Sequence, residues 1–345
     1  MSENSGLYRR LLQPLLFLLN PETAHDLAMA TLRAISGNSV LLRMLRRFQP
    51  PADPVTVFGI TFPNRIGLAA GFDKNGVALP AWAALGFGFI EIGTVTARPQ
   101  SGNPKPRIFR FPKQEALINR LGFNNDGADM VANRLRRLQE DGLWPAVPVG
   151  INIGKSRVTE LEEATADYLQ SFRRLQTFAD YIVLNVSSPN TPGLRSLQQT
   201  ESLSELLRAI SAENRAGKPI LVKIAPDLTD AELDEVIAVC TQHDVAGIVA
   251  TNTTLDHGAI DAQRDETGGL SGAPLREKST DMVAKITARC AIPVIGCGGI
   301  TDGASAQEKV AAGAKLVQIY TGLIYRGPSL LREIGEVFAR KKRVG

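Results

Sequence analysis

One serine, which directly precedes a proline, lies in a sequence setting that suggests chemical reactivity. Ser188 lies in the segment NVSSPNTPGLR, residues 185–195, which follows the apolar residues YIVL. The segment holds two asparagines, two prolines and a glycine, which are residue types that build turns. Ser188 is therefore either a turn residue or a reactive hydroxyl, and the residues that the fold brings near it decide between these roles.

Seven other apolar segments also end in polar or glycine-rich residues. In chain order the eight ends read AGFDKNG, GTVT, NIGKS, NVSSPN, VKIAPD, TNTT, GCGGI and YTG. Asparagine has a low strand propensity, yet Asn152, Asn185 and Asn252 end apolar segments, and their amides would suit a planar heterocycle such as a pyrimidine. Lys74 is either a solvated lysine at the rim or a residue that binds an anion. Lys223 lies within ILVKIAP, so we expect a buried ammonium that needs an anionic partner.

The apolar segments alternate with helical stretches, which is typical of a parallel sheet. The eight predicted strands are residues 66–72, 89–95, 147–154, 181–187, 220–226, 247–253, 293–299 and 316–322. Eight such units predict a (β/α)8 TIM barrel, whose active site lies at the carboxyl ends of the strands. Gly298, Gly299, Thr321 and Gly322 follow strands seven and eight, where barrels often bind phosphate.

Two connections, residues 97–125 and 254–278, are longer than usual and are expected to build the active site. Residues 50–64 predict a linker and a hairpin. The small N-terminal helical extension holds NPETAHDLAMATLRAISG, in which Asn20 suits a helix cap and Gly37 the position after the helix.

The N-terminal helices are apolar and flanked by arginine. They are either a cap on the main domain or a helical pair that lies in a membrane surface. No apolar run reaches the roughly 20 residues that a spanning helix needs.

Composition excludes several functional classes. The 345 residues carry a net charge of +4, which is too mild to argue for a nucleic-acid partner. The three cysteines show no metal-ligand or disulfide spacing, and no metal site is expected. His257 is the only histidine near a strand end, so a Ser–His–Asp triad is poorly supported.

Long, ordered motifs resemble the class 2 dihydroorotate dehydrogenases over nearly the whole chain. These motifs are NPETAH, GLAAGFDKNG, IEIGTVT, NPKPRIFR, INRLGFNN, GINIGK, NVSSPNTPGLR, ILVKIAPDLT, TNTT, GGLSG, GCGGI and QIYTGLIYRGP. One departure is Ser156, which stands where an asparagine is expected. The resemblance implies oxidation of (S)-dihydroorotate to orotate with FMN in de novo pyrimidine biosynthesis, with electrons passed to a membrane quinone.

The resemblance also implies two units and a location. Residues 1–48 would form the membrane-associating, quinone-access segment, and residues 49–345 the FMN-binding barrel. The enzyme would be peripheral, bound through its N-terminal helices to the cytoplasmic face of the bacterial inner membrane.

By the same resemblance, Ser188 would be the catalytic base, since class 1 relatives use cysteine there, and residues 189–195 are a candidate lid. His25 and Arg110 would line the quinone tunnel. The implied substrate-binding residues are Lys74, Asn119, Arg120, Leu121, Gly122, Phe123, Asn185, Asn190, Asn252 and Thr253. The implied FMN-binding residues are Ala70, Gly71, Phe72, Asp73, Lys74, Thr94, Asn152, Asn185, Lys223, Thr251, Gly272, Gly299, Tyr320 and Thr321.

Two alternatives stay open at this level. The first is another FMN-dependent barrel oxidoreductase, acting on a 2-hydroxy acid or on tRNA uridine; it would need a histidine base at a strand end or an added RNA-binding domain, and neither is evident. The second is a non-enzymatic peripheral membrane protein, for which polar chemistry at all eight strand ends would be unnecessary.

Overall fold

Eight short apolar segments of the sequence form the strands of a closed parallel barrel. The computed structural model describes residues 8–191 and 193–342, with side chains as far as residue 340. The barrel strands are β3 (Ile66–Leu68), β4 (Phe89–Val95), β7 (Val149–Ile153), β8 (Tyr181–Asn185), β9 (Ile220–Ile224), β10 (Gly247–Ala250), β12 (Val294–Cys297) and β13 (Leu316–Ile319). All eight predicted strands and the TIM-barrel class are confirmed.

Each barrel strand pairs in parallel with its neighbours in chain order, and β13 pairs with β3 to close the barrel. Ile319 lies opposite Leu68 at this closure, and Asn185 lies opposite Lys223 between β8 and β9. Because all strands run in one direction, their polar carboxyl ends meet at one rim.

The N-terminal segment forms three helices after a π-helical turn at Tyr8–Leu12: α1 (Gln13–Leu18), α2 (Pro21–Ser36) and α3 (Ser39–Leu45). The predicted start of α2 is confirmed, because the Asn20 side chain accepts a hydrogen bond of 3.0 Å from the Glu22 N–H and so caps the helix. The first seven residues of the predicted 1–48 segment lie outside the described residues. In the part that the structure describes, no helix combines the length and apolar character needed to cross a membrane.

The outer helices bury one face against the barrel. In α5, for example, Val131 and Leu135 are fully buried four residues apart, the spacing that places two side chains on one helix face. The helices that follow α3 are α4 (Leu79–Leu85), α5 (Ala128–Glu140), α6 (Ala164–Leu175), α7 (Thr200–Glu213), α8 (Asp230–Gln242), α9 (Arg276–Arg289), α10 (Gly303–Ala311), α11 (Thr321–Arg326) and α12 (Ser329–Lys342).

The predicted hairpin covers the amino end of the barrel. Its strands are β1 (Val55–Val57) and β2 (Ile60–Phe62), joined by a two-residue turn in which Phe58 and Gly59 both have positive φ angles of 55° and 76°. This is the turn geometry that matches the twist of a hairpin. The buried Phe62 ring packs edge-on against Phe89, with 5.3 Å between centroids, so the hairpin closes the barrel opposite the polar rim.

The two long insertions form a sheet together, which the sequence pattern did not predict. β5 (Ile108–Phe111) and β6 (Ala116–Asn119) come from the first insertion, and β11 (Gly269–Gly272) comes from the second. β6 pairs antiparallel with both of the others. The sheet stands beside the rim and joins the two insertions.

A buried ion pair fixes the N-terminal helices to the first insertion. Glu22 at the start of α2 accepts a 2.7 Å hydrogen bond from the Arg107 guanidinium, and both residues are buried. Burial by itself raises the pKa of Glu22, but the hydrogen bonds from Arg107 and Lys105 outweigh it and hold this pKa below its ordinary value. Arg107 also donates to the carbonyls of Ser101 and Asn103.

The substitution Arg107→Met should destabilise the fold by about 3–5 kcal/mol, because it leaves the Glu22 carboxylate buried without its partner. Denaturant unfolding measures the loss, and limited proteolysis should show earlier cleavage within residues 8–48. The matched control is Arg174→Met, which removes an exposed pair with Asp129 and should cost less than about 1 kcal/mol. Equal losses for the two variants would contradict the anchoring role of Arg107.

Candidate active site

The carboxyl ends of the barrel strands surround a cleft of about 920 Å³. Most of the predicted site residues line it. They are Ala70, Gly71, Lys74, Thr94, Asn119, Leu121, Gly122, Phe123, Asn185, Ser188, Asn190, Lys223, Thr251, Asn252, Thr253, Gly272, Gly299, Tyr320 and Thr321.

Amide and hydroxyl groups at the strand ends are linked in one chain of hydrogen bonds. Asn185 donates to the Thr94 hydroxyl at 2.8 Å, and that hydroxyl donates to the Asn152 amide oxygen at 2.6 Å. On the other side, Asn252 donates to the Ser187 hydroxyl at 2.9 Å, and Ser187 donates to the Asn185 amide oxygen at 3.1 Å. Each of these amides is therefore held in one orientation by its neighbour.

A buried ammonium, that of Lys223, lies at the floor of the cleft, and the buried Glu91 lies beneath it. Glu91 is fully buried in β4 and accepts hydrogen bonds from the Asn152 amide at 2.9 Å and from the Gln318 amide. Burial raises the pKa of Glu91, while the positive charge of Lys223 opposes this increase. Lys223 lies in β9, is only 5% exposed and lines the cleft. Glu91 therefore supplies part of the anionic partner that was predicted for Lys223.

Ser188 places its hydroxyl at the wall of the cleft. The residue is only 5% exposed, and its oxygen accepts a 3.3 Å hydrogen bond from the Asn190 N–H. The Asn190 amide in turn donates to the Asn119 carbonyl at 3.1 Å, so the loop of Ser188 is tied to the end of β6. Ser188 is both a turn residue and a cleft residue.

Charged side chains anchor this loop to the residues that follow the neighbouring strands. The Arg195 guanidinium donates to the Ser187 carbonyl at 3.1 Å, to the Thr253 carbonyl at 3.1 Å and to the Asp227 carboxylate at 3.0 Å. Asp227 also accepts from Lys278 of α9 at 3.2 Å. Arg195 therefore joins the carboxyl ends of three barrel strands, β8, β9 and β10.

Lys74 supplies a second ammonium at the cleft. Burial, assisted by the nearby charge of Arg107, lowers the pKa of Lys74 to about 8, so the group remains mostly protonated at neutral pH. Gly122 and Phe123, in the turn after β6, line the same cleft. These groups form a pocket for an anionic ligand with polar edges.

Two predicted cofactor residues lie away from the cleft walls. Asp73 accepts hydrogen bonds from the N–H groups of Val77 and Ala78 and from the Trp82 indole, at 2.8 to 3.2 Å, and thereby orders the chain before α4. Phe72 packs edge-on against Trp82, with 5.3 Å between centroids. Both side chains support the loop whose Ala70 and Gly71 reach the cleft.

Three further polar residues also point elsewhere. Arg120 donates to Glu266 at 2.9 Å, away from the cleft. Asn152 lies one layer below the cleft, between Thr94 and Glu91. Ser156, the departure from the family pattern, is fully buried and accepts a 3.2 Å hydrogen bond from the Arg98 N–H.

A second, apolar cavity of about 1390 Å³ lies between the N-terminal helices and the barrel. His25 and Arg110 line it, and it shares Tyr320 with the cleft. Burial, with the charge of Lys74 nearby, lowers the pKa of His25 to about 3, so its imidazole is neutral at physiological pH. Arg110 donates to the Leu16 carbonyl at 3.1 Å, and its guanidinium lies 4.5 Å from the centre of the Phe17 ring.

Sequence reasoning missed several residues that the fold places at the site. Glu91 and Gln318 carry the same signal as Lys223, a polar residue inside an apolar strand, and could have been found by it. Arg195 and Asp227 lie in strand-end segments that the sequence analysis singled out, but their pairing leaves no signal because they are 32 residues apart.

A family model described as dihydroorotate dehydrogenase matches residues 54–341 of the chain. The dihydroorotate dehydrogenase (quinone) of Gloeobacter violaceus is 50% identical over 329 residues, which cover 94% of this chain and 92% of the relative. The enzyme of the same name from Chloroflexus aurantiacus strain J-10-fl is 49% identical, over 98% and 97% of the two chains.

Solved structures agree with the sequence matches. The crystal structure of DHODH from Eimeria tenella in complex with ferulenol superposes with a TM-score of 0.84 at 37% identity, and the match covers 94% of this chain and 92% of that one. The chain therefore belongs to the dihydroorotate dehydrogenase family, and within it to the quinone-dependent class.

Proposed function

We propose that this flavin oxidoreductase converts (S)-dihydroorotate to orotate in de novo pyrimidine biosynthesis, with FMN as its flavin and a membrane quinone as the final electron acceptor. One observation carries the proposal. A buried serine hydroxyl, a buried lysine and the strand-end amides share one cleft, and a separate apolar cavity meets this cleft at Tyr320.

Glycines at the rim support a flavin that carries a phosphate. A Cβ atom at Gly299 would lie 2.2 Å from the Arg276 Cα, one at Gly272 would lie 2.2 Å from the Glu115 carbonyl oxygen, and both residues have positive φ. Only glycine fits these positions, because a side chain would collide with the protein backbone, and both glycines line the cleft. The residues that would hold the phosphate and ribityl end are Gly272, Gly299, Tyr320 and Thr321. When bound, FMN supplies the acceptor for the hydride from substrate C6.

The remaining cleft residues are suited to bind and deprotonate the substrate. Lys74 and the amides of Asn119, Asn190 and Asn252 offer cationic and neutral donors for a carboxylate and a pyrimidine ring. Ser188 would remove the C5 proton as the hydride leaves C6, which produces the C5–C6 double bond of orotate. Serine is a weak base in water, so the proposal requires a closed, dry cleft around it.

The loop of residues 189–195 is proposed to close the cleft. Pro192 of this segment lies outside the described residues. Asn190 and Arg195 fix the loop near its two ends. Such a lid would exclude water during proton removal.

The apolar cavity is proposed to admit the quinone from the membrane surface. Leu12 and Leu16 line this cavity, and the neighbouring Leu11, Leu15 and Leu18 are 56%, 63% and 83% exposed. A group of exposed leucines supports an interaction surface on these helices. The neutral His25 and the carbonyl-bound Arg110 suit an apolar ligand. A location at the cytoplasmic face of the bacterial inner membrane follows from the same proposal.

Anaerobic addition of dihydroorotate to the purified protein should bleach its flavin absorbance. The Ser188→Ala variant should keep its flavin but reduce it roughly 100- to 10,000-fold more slowly at neutral pH, the usual contribution of a positioned base. Stopped-flow absorbance measures the rate, and Ser211→Ala on the exposed face of α7 is the control. A variant with the wild-type rate would remove Ser188 from the base role, whereas a wild-type protein that binds no flavin would refute the proposed function.

The substitution Arg195→Met should slow flavin reduction by about 100-fold without changing flavin affinity. It frees the Ser187 carbonyl and so displaces the neighbouring Ser188, and displacements near 1 Å can have this effect. Arg195→Lys should recover little, because an ammonium does not reproduce the three-way contact. The control is Arg173→Met, which breaks an exposed pair with Glu213. A parallel loss of flavin affinity would show that Arg195 supports the whole rim instead.

Replacing Leu11, Leu15 and Leu18 together by serine should weaken binding to lipid vesicles by at least about tenfold, since each buried leucine contributes about 1.5–3 kcal/mol. Vesicle flotation measures the binding. Reduction of a short, water-soluble quinone should stay unchanged, while reduction of a long-tailed quinone in vesicles should fall. Val158→Ser, at a valine that is 66% exposed on the barrel, is the control. Unaltered flotation would place the membrane contact elsewhere.

A further inference from the structure

Lys309 is a fully buried lysine to which the proposed reaction assigns no role. It lies on α10 and has no exposed surface. Its ammonium donates to the Arg276 carbonyl at 3.0 Å, to the Ser279 hydroxyl at 2.6 Å and to the Thr280 hydroxyl. All three acceptors are neutral oxygens near the start of α9.

The ammonium has no carboxylate hydrogen-bonded to it in the part of the chain that the structure describes. Glu308, the adjacent acid, is held at the surface by Arg276, whose Nε–H donates a 2.7 Å hydrogen bond to the Glu308 carboxylate. A buried charge without a counterion is costly. Protonation of Lys309 is therefore unfavourable unless an anion lies near it.

The charge lies directly behind the glycine-rich end of the cleft. The Ser279 hydroxyl oxygen, which accepts from Lys309, is also 3.0 Å from the Gly298 carbonyl oxygen. A Cβ atom at Gly299 would lie 2.2 Å from the Arg276 Cα, whose carbonyl is another Lys309 acceptor. Gly298 and Gly299 both line the cleft. The backbone of Gly298 and Gly299 thus lies between the Lys309 site and the cleft.

We propose that Lys309 is a positioning residue for the phosphate of FMN, whose dianion it attracts from behind the cleft while it holds the start of α9 against Gly298 and Gly299. The inference rests on the proposed FMN cofactor. The ammonium never touches the ligand. A fixed charge in a site of low polarity attracts an anion more strongly than the same charge in water.

The titration of Lys309 gives this arrangement a measurable consequence. Burial lowers the pKa of Lys309 to about 7; Cys297 of β12 and Glu308 of its own helix oppose this decrease, and Arg276 of α9 adds to it. A phosphate dianion nearby would raise the pKa again. Phosphate binding above neutral pH should therefore draw a proton from solvent onto Lys309.

The first test compares FMN with riboflavin, which lacks the phosphate. Fluorescence quenching measures the affinity of the full-length chain for each flavin. Lys309→Gln retains hydrogen-bond donors and Lys309→Met retains none, but both remove the charge. Both variants should bind FMN on the order of tenfold to a hundredfold more weakly and riboflavin with unchanged affinity. Lys315→Gln removes an exposed lysine and should leave both affinities unchanged.

Three results would overturn the role of Lys309. These are a Lys309→Gln variant with the wild-type preference for FMN, equal losses for both flavins, or the same loss in Lys315→Gln. The wild-type protein must bind FMN in this assay, and if it does not, the proposed cofactor is wrong and the inference falls with it.

The second test needs no variant and so is independent of folding. Calorimetry in two buffers with different heats of ionisation counts the protons taken up on binding. At about pH 8 the free phosphate is already a dianion, because its second pKa is about 6, while free Lys309 is mostly neutral. FMN should bind with uptake approaching one proton more than riboflavin does, and equal uptake would refute the proposal. Groups near the flavin ring contribute equally to both ligands and cancel.

Discussion

The polar groups buried at the carboxyl end of the barrel can remain there only if each has a partner. Glu91 accepts hydrogen bonds from the side-chain amides of Asn152 and Gln318. The hydrogen-bond network continues from Asn152 through Thr94 to Asn185. Losing one of these groups would leave another buried and unsatisfied, which costs more than a single hydrogen bond contributes. The cleft floor is therefore rigid before any ligand binds, and preorganised donors of this kind suit charge that develops during a reaction.

The insertions extend this rigidity to the walls. β6 and β11 carry Asn119 and Gly269 opposite each other, next to Asn190 of the serine loop. Arg107 lies just before β5 and binds Glu22 of α2, so the sheet connects the serine loop with the N-terminal helices.

The strands, the hairpin, the cap of α2 and most cleft residues could be predicted, because each leaves a local signal. Lys223 is an example, since a charged residue inside an apolar strand is visible without any partner. The sheet of β5, β6 and β11 was not predicted, because its strands have only four residues each and β11 pairs with β6 across about 150 positions of the chain. The Glu22–Arg107 and Arg195–Asp227 ion pairs could not be predicted either, because charged residues that pair across the fold leave no periodic pattern in the sequence.

The polar cleft and the apolar cavity both depend on the packing of the N-terminal helices against the barrel. Without α1, Arg110 would lose the carbonyls of Leu16 and Phe17 and the ring on which it lies. Without α2, Arg107 would lose Glu22 while it still orders the chain beside the cleft. Because unpaired arginines would oppose burial on both sides, the N-terminal helices complete the apolar cavity and support the polar cleft together. The polar cleft and the apolar cavity therefore share Tyr320 as a common wall only in the fully assembled fold.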